Sequence, residues 1–128
     1  MTLYSIPAKT TYTSTTSMEI ITPFALTSEV KRICSCESTG SPNNEPRHFE
    51  SDGSVLRGRV NPNDIGQCQI NIDPETTDWL RISQSLNLDV FKKEDNARMA
   101  QWIYDHYGSQ PWNWSRGCWG VDKIKAGE

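Results

Sequence analysis

Ser28-Glu-Val-Lys-Arg-Ile-Cys-Ser-Cys-Glu-Ser-Thr-Gly40 reads as a short helix. Thr27 or Ser28 suits its N-cap, and Gly40 suits its end, where a left-handed residue is needed. Val30, Ile33, Cys34 and Glu37 follow one another at helical spacing and fall on one side. Glu37 therefore shares the apolar face and also stands in the last turn. Burial disfavours a charged carboxylate, and so does the negative end of the helix dipole. Both effects raise the pKa, as a general acid working near neutral pH requires. The plainer alternative is an exposed last turn that Glu37 merely solvates.

The same helix carries two of the four cysteines, Cys34, Cys36, Cys68 and Cys118. Residues two apart on a helix point about 200° from each other, so Cys34 and Cys36 each need a separate, distant partner. An even count in a small domain suggests disulfides and an oxidising compartment, with three pairings open. A four-cysteine zinc site is the competing reading, but the Cys-x-Cys spacing suits it poorly and no Cys-x-x-Cys pair exists. No His is arranged as a base for a nucleophilic cysteine.

The 128 residues fit one domain with a modest core. Five Trp and four Tyr add large buried areas to a chain that is otherwise lean in apolar residues. No apolar run reaches membrane-spanning length, and no basic segment followed by an apolar stretch opens the chain. A net charge of −3 without a basic stripe argues against nucleic acid as a partner.

Residues 1–26, dense in Thr between Thr10 and Thr16, read as an arm or linker ahead of a domain over 27–128. Tyr4, Ile6, Tyr12, Ile20, Ile21 and Phe24 give the arm side chains with which to dock. Past the first helix, Arg47–Glu50 and Val55–Val60 flank a turn at Asp52-Gly53, the signal of a hairpin. Ile65–Ile70 is expected as a third strand. A helix is expected from Asp73-Pro74, with Trp79, Ile82, Ser83 and Leu86 along one face. Another is expected from about Lys93 to Tyr107, with Met99, Trp102, Ile103 and His106 on one side and Gly108 as its stop. The fold class is α+β, mainly helical with a small three-stranded antiparallel sheet.

Asn63-Asp-Ile-Gly-Gln-Cys-Gln-Ile-Asn71 is the second informative stretch. As a regular strand it would put Gln69 and Asn71 on one face. A carboxylate and two amides are poor core material, but they suit the hydroxyl and N-acetyl groups of a sugar. An exposed turn and a polar edge strand are the alternative. Taken together, Cys36-Glu-Ser38 at a helix end, Asp64-Ile-Gly-Gln-Cys-Gln-Ile-Asn71, and the Cys-Trp ending after Pro111-Trp112 resemble the lysozyme and lytic transglycosylase superfamily. Compact bacterial wall-lysing domains such as resuscitation-promoting factors are similar. The resemblance spans residues 27–119.

That resemblance implies a lysozyme-like fold and cleavage of peptidoglycan at the β-1,4 bond from N-acetylmuramic acid to N-acetylglucosamine. Glu37 would be the general acid and Asp64 the second carboxylate of a hydrolase. In the alternative, a lytic transglycosylase, the muramyl C6 hydroxyl attacks internally and Glu37 alone suffices. Gln69, Asn71, Ser38 and Tyr104 are assigned to substrate. Ser38 would also orient Glu37 by a local hydrogen bond, and Tyr107 competes with Tyr104 as the cleft tyrosine. The resemblance pairs Cys36 with Cys118, which leaves Cys34 with Cys68. No cofactor and no metal are expected, and a monomer outside the cytoplasm, in the periplasm or at the cell wall, is. His48 and His106 read as structural or surface residues. Arg57 and Arg59 are either contacts for peptide carboxylates or a solvated hairpin. The acidic balance departs from the strongly basic character of many secreted lysozymes and suits remodelling of the cell's own wall. Two other classes compete: a catalytically dead sugar-binding module on the same fold, and a small disulfide-stabilised interaction domain.

Overall fold

A computed structural model of the chain describes residues 24–120. Within them lie helices α1 (Ser28–Thr39), α2 (Trp79–Ser85), α3 (Lys93–Tyr107) and α4 (Arg116–Trp119), with a 3-10 segment over Gln110–Ser115 just before α4. Strands β1 (Asp64–Ile65) and β2 (Ile70–Asn71) form a two-stranded antiparallel sheet. The class is therefore α+β and mainly helical. Most of the arm expected over residues 1–26 lies outside the described residues. At its end, Leu26 packs on the core and the Arg98 guanidinium sits 4.5 Å from the centre of the Phe24 ring. No described helix is long and apolar enough to cross a membrane.

Helix α1 is the centre of the domain. Thr27 is its cap, accepting the Val30 N–H on its hydroxyl, and Gly40 ends it at φ 80° with its N–H on the Cys36 carbonyl. Val30, Ile33, Cys34, Ser35, Cys36 and Ser38 are all buried, more than one face's worth. The excess has a simple cause: the helix is covered from two sides. Cys34 is disulfide-bonded to Cys68 on the hairpin side, and Cys36 to Cys118 on the C-terminal side. Their divergence on the helix matches these two partners. With every cysteine bonded, the four-cysteine zinc reading falls away. The bridges close loops of 34 and 82 residues, worth roughly 4 and 4.5 kcal/mol in the chain-entropy account.

The expected third strand is not one. Residues 65–70 fold back on themselves, so that Asp64 pairs with Asn71 and Ile65 with Ile70. The reversal runs through Gly66 at φ 75° and Gln69 at φ 53°. A Cβ on Gly66 would stand 2.5 Å from Asn96 Nδ2 and from the His48 ring, so only glycine fits. The turn at Asp52-Gly53 does form, but its flanks share only one bridge, Phe49 with Val55, and the second flank meets β1 at a single bridge, Arg57 with Ile65. Among the described residues a three-stranded ladder is thus absent. Its place is taken by buried side chains that bind the turn's backbone. Asn96 accepts the Cys68 N–H at 3.0 Å and donates to the carbonyls of Ile65 and Val90. His48 accepts the Gln67 N–H on Nδ1 at 3.1 Å.

The helix expected from Asp73-Pro74 starts later, at Trp79. Asp73 instead closes a turn onto the Glu75 N–H and the Thr76 hydroxyl. Thr77 then donates to the Asn71 carbonyl, which draws the chain back to β2 before α2 begins. Helix α3 buries Asn96, Ala97, Met99, Ala100 and Ile103. Trp102 and His106 lie beside this face rather than on it, stacked on each other at 4.0 Å.

Candidate active site

A cleft of about 800 Å³ opens where the last turn of α1 meets the hairpin and the C-terminal helices. Glu37 reaches it from α1, and Asp64, Gln69, Ile70 and Asn71 from the hairpin. Trp79, Tyr107, Trp112 and Trp114 also line it. The lining thus combines amide and carboxyl groups with aromatic rings. Sugars have a matching combination, with apolar C–H faces and polar edges.

Glu37 sits on the partly buried side of α1's end. Its carboxyl is pushed above the usual carboxylate range, first by burial. A hydrogen bond from the Ser115 hydroxyl opposes that shift, and the negative charge of Asp64 adds to it. The charge of Asp64 is thus felt at Glu37. Asp64 is itself raised by burial and held down by a hydrogen bond from Asn71.

Asp64 is firmly built in. Its Oδ1 accepts from Asn71 Nδ2 at 2.8 Å, and Asn71 Oδ1 in turn accepts the Asp73 N–H at 2.9 Å. Asn71 therefore lines the cleft while its amide orients Asp64. Gln69 also lines it, but its amide N–H groups donate to the carbonyls of Asp64 and Gly66, where they hold the hairpin. The hairpin reversal separates these two side chains from the shared face of a regular strand. The left-handed φ of Gln69 is unusual for a residue with a Cβ, and such strain is found at sites that a surrounding structure over-determines.

Ser38 and Tyr104 lie apart from this group. Ser38 is buried, donates to the Cys34 carbonyl and accepts the Arg47 N–H, so it pins the chain leaving α1. Tyr104 packs against the core, whereas Tyr107 lines the cleft and is 55% exposed. His48 is 2% exposed and donates through Nε2 to the Phe91 carbonyl, while His106 stacks at the surface. Arg57 donates to the Pro62 carbonyl and lies over the Phe91 ring, away from the cleft.

Three residues, two lining the cleft and one behind it, carried no sequence signal. Ser115 binds Glu37 across 78 positions of chain. Val60 and Trp114, each 99% exposed, line the cleft with no cover. An apolar ring held fully in water beside a partly buried acid was detectable only as one Trp in the run Pro111-Trp-Asn-Trp114. Compared with known proteins, the chain matches no family model, no curated protein and no solved structure.

Proposed function

We propose that the chain cleaves glycan strands of peptidoglycan, with Glu37 as the general acid and Asp64 as the second carboxylate of a lysozyme-type hydrolysis. One observation carries this reading: two carboxyl groups in different surroundings share a single cleft that aromatic rings also line. Burial lets Glu37 hold its proton to higher pH than a free glutamate does, as suits a group that protonates the oxygen of the scissile β-1,4 bond. The hydrogen bond from Asn71 favours the ionised form of Asp64, which would face the positive charge that develops at C1 of the muramyl ring. The aromatic side chains of the lining would take the apolar faces of the sugar rings. The resemblance to lysozyme-like folds supplies the substrate class, and the two disulfides suit a site of action outside the cytoplasm.

A second reading, lytic transglycosylation, has an observation of its own. Burial pushes Asp64 upward as well, which weakens it as a counter-charge and leaves Glu37 the better equipped of the two. Mass spectrometry of the fragments released from purified peptidoglycan separates the two. Reducing muramyl ends are expected for hydrolysis, and 1,6-anhydromuramyl ends mark transglycosylation. Release of neither would refute glycan cleavage.

A further inference from the structure

Ser115 stands at the N-cap position of α4, where serine ordinarily bonds the helix's own N–H groups, yet its side chain makes no capping bond. Its hydroxyl instead donates to Glu37 Oε2. Ser115 Oγ in turn accepts the Trp119 indole N–H at 2.9 Å. An indole nitrogen can only donate, so this bond has one direction. With a lone pair so occupied, the single Ser115 proton has two acceptors within reach, Glu37 Oε2 and the Trp112 carbonyl at 3.2 Å. A carboxylate is the stronger acceptor. A one-way chain results, from Trp119 through Ser115 to Glu37.

The supports of this chain are rigid. Trp112 and Trp119 are both buried, and Trp112 Nε1 donates to the Cys68 carbonyl in the hairpin turn. Cys36 and Cys118, the residues just before Glu37 and Trp119, are joined by a disulfide. Ser115 itself does not line the cleft.

We propose that Ser115, aligned by Trp119, is the positioning residue that fixes which oxygen of Glu37 carries the transferable proton. This inference rests on the reading of Glu37 as a proton donor. Because Oε2 accepts from Ser115, the acidic proton resides on Oε1, the oxygen with no hydrogen-bond partner among the described residues. When that proton passes to the glycosidic oxygen, the electron pair of the breaking C1–O bond goes to the same oxygen. The negative charge left on the carboxyl then strengthens the bond from Ser115.

The test compares the full-length wild type with Ser115→Ala, Ser115→Thr and Trp119→Phe, using two readouts. The first is the titration of the Glu37 carboxyl by carbon-13 NMR, which needs no activity. The second is the pH dependence of kcat and KM on peptidoglycan. Ser115→Ala removes a donor to the charged form, so the Glu37 titration and the basic limb of kcat move together to higher pH. The plateau kcat falls roughly tenfold, the scale of one charge-assisted hydrogen bond lost in the transition state, while KM holds. Ser115→Thr keeps the hydroxyl and restores both. Trp119→Phe gives a smaller shift in the same direction and serves should Ser115→Ala fold poorly. A Glu37 titration identical in a folded Ser115→Ala protein and the wild type overturns the proposal, whatever the activity. If the wild type releases no fragments while the substitution still moves that titration, the glycan reading falls and the hydrogen-bonded chain onto Glu37 stands.

Discussion

Asp64 and Asn71 face each other as register partners in the two-residue ladder of β1 and β2, and their side chains repeat the pairing through a 2.8 Å hydrogen bond. The backbone of the hairpin thus sets the spacing at which the amide meets the carboxylate. Asn71→Ala leaves the ladder intact and removes the donor. Asp64 then titrates higher, because the bond that favoured its charged form is gone. Hydrolytic turnover is expected to fall roughly tenfold, the worth of one hydrogen bond to a charged group. Product analysis of the variant checks it: undiminished release of anhydro ends would instead put Asp64 outside the chemistry.

Glu37→Gln should abolish cleavage, lowering kcat by ~10²–10⁴-fold, the usual contribution of a general acid. Its effect on stability should run the other way. The Glu37 pKa is raised on folding from 4.5, so the native state holds its proton to a higher pH than the unfolded chain does. Wild-type stability therefore declines as pH rises from 4.5 through the folded pKa and levels off above it, with the loss retained. Glutamine carries no such proton. Urea unfolding at pH 4 and pH 7 should find the variant gaining on the wild type at the higher pH. Equal differences at both would show that Glu37 pays no penalty for burial.

Local signals and distant ones differ in how they can be read from the chain. Thr27, Gly40 and the spacing of Val30, Ile33, Cys34 and Glu37 defined α1, because caps and periodicity act within a few residues. The divergence of Cys34 from Cys36 followed from helix geometry alone. The hairpin within residues 64–71 did not emerge, since its turn is held by His48 and Asn96, 19 and 28 positions away from the residues they bind. The strand expected over Ile65–Ile70 rested on the local sequence alone, which holds no trace of those distant side chains. Ser115 was invisible for the same reason, being 78 positions from Glu37. Tyr104 and Tyr107 lie one turn apart on α3, and a helical wheel does not tell where along a helix a cleft opens.

His48 should act as a pH-dependent clamp on that turn. Its pKa is lowered from 6.5, first by burial and further by the nearby Lys93, against an opposing bond to the Phe91 carbonyl. Protonating Nδ1 would also break the bond that it accepts from Gln67. The unfolded chain takes up a proton near pH 6.5 while the folded one resists, so this contribution to stability is lost as pH falls below 6.5 and levels off below the folded pKa. Glu37 titrates in the opposite sense, so the measurement belongs in the Glu37→Gln background. NMR titration should place His48 below 6.5, and urea midpoints should fall from pH 7 to pH 5.5. A His48 that titrates at 6.5 or above would contradict the assignment.

Trp114 is 99% exposed and lines the cleft two residues after Trp112, which is buried, and one before Ser115, which holds Glu37. Water gains nothing from such a ring, and folding gains nothing from it either, because it covers no neighbour. Its apolar face becomes useful only when something flat and apolar lies on it. In the glycan reading that partner is the C–H face of a sugar ring next to the scissile bond. Covering one indole face is worth roughly 1–2 kcal/mol, so Trp114→Ala should raise KM for soluble glycan fragments roughly 5–30-fold. Thermal unfolding should not change, since no buried contact is lost. A stacking role makes the loss specific to ring shape, so Trp114→Phe should recover part of the affinity and Trp114→Leu much less. Unchanged KM in Trp114→Ala would remove the ring from the binding surface, and a lowered melting temperature would mean that it supports the fold instead.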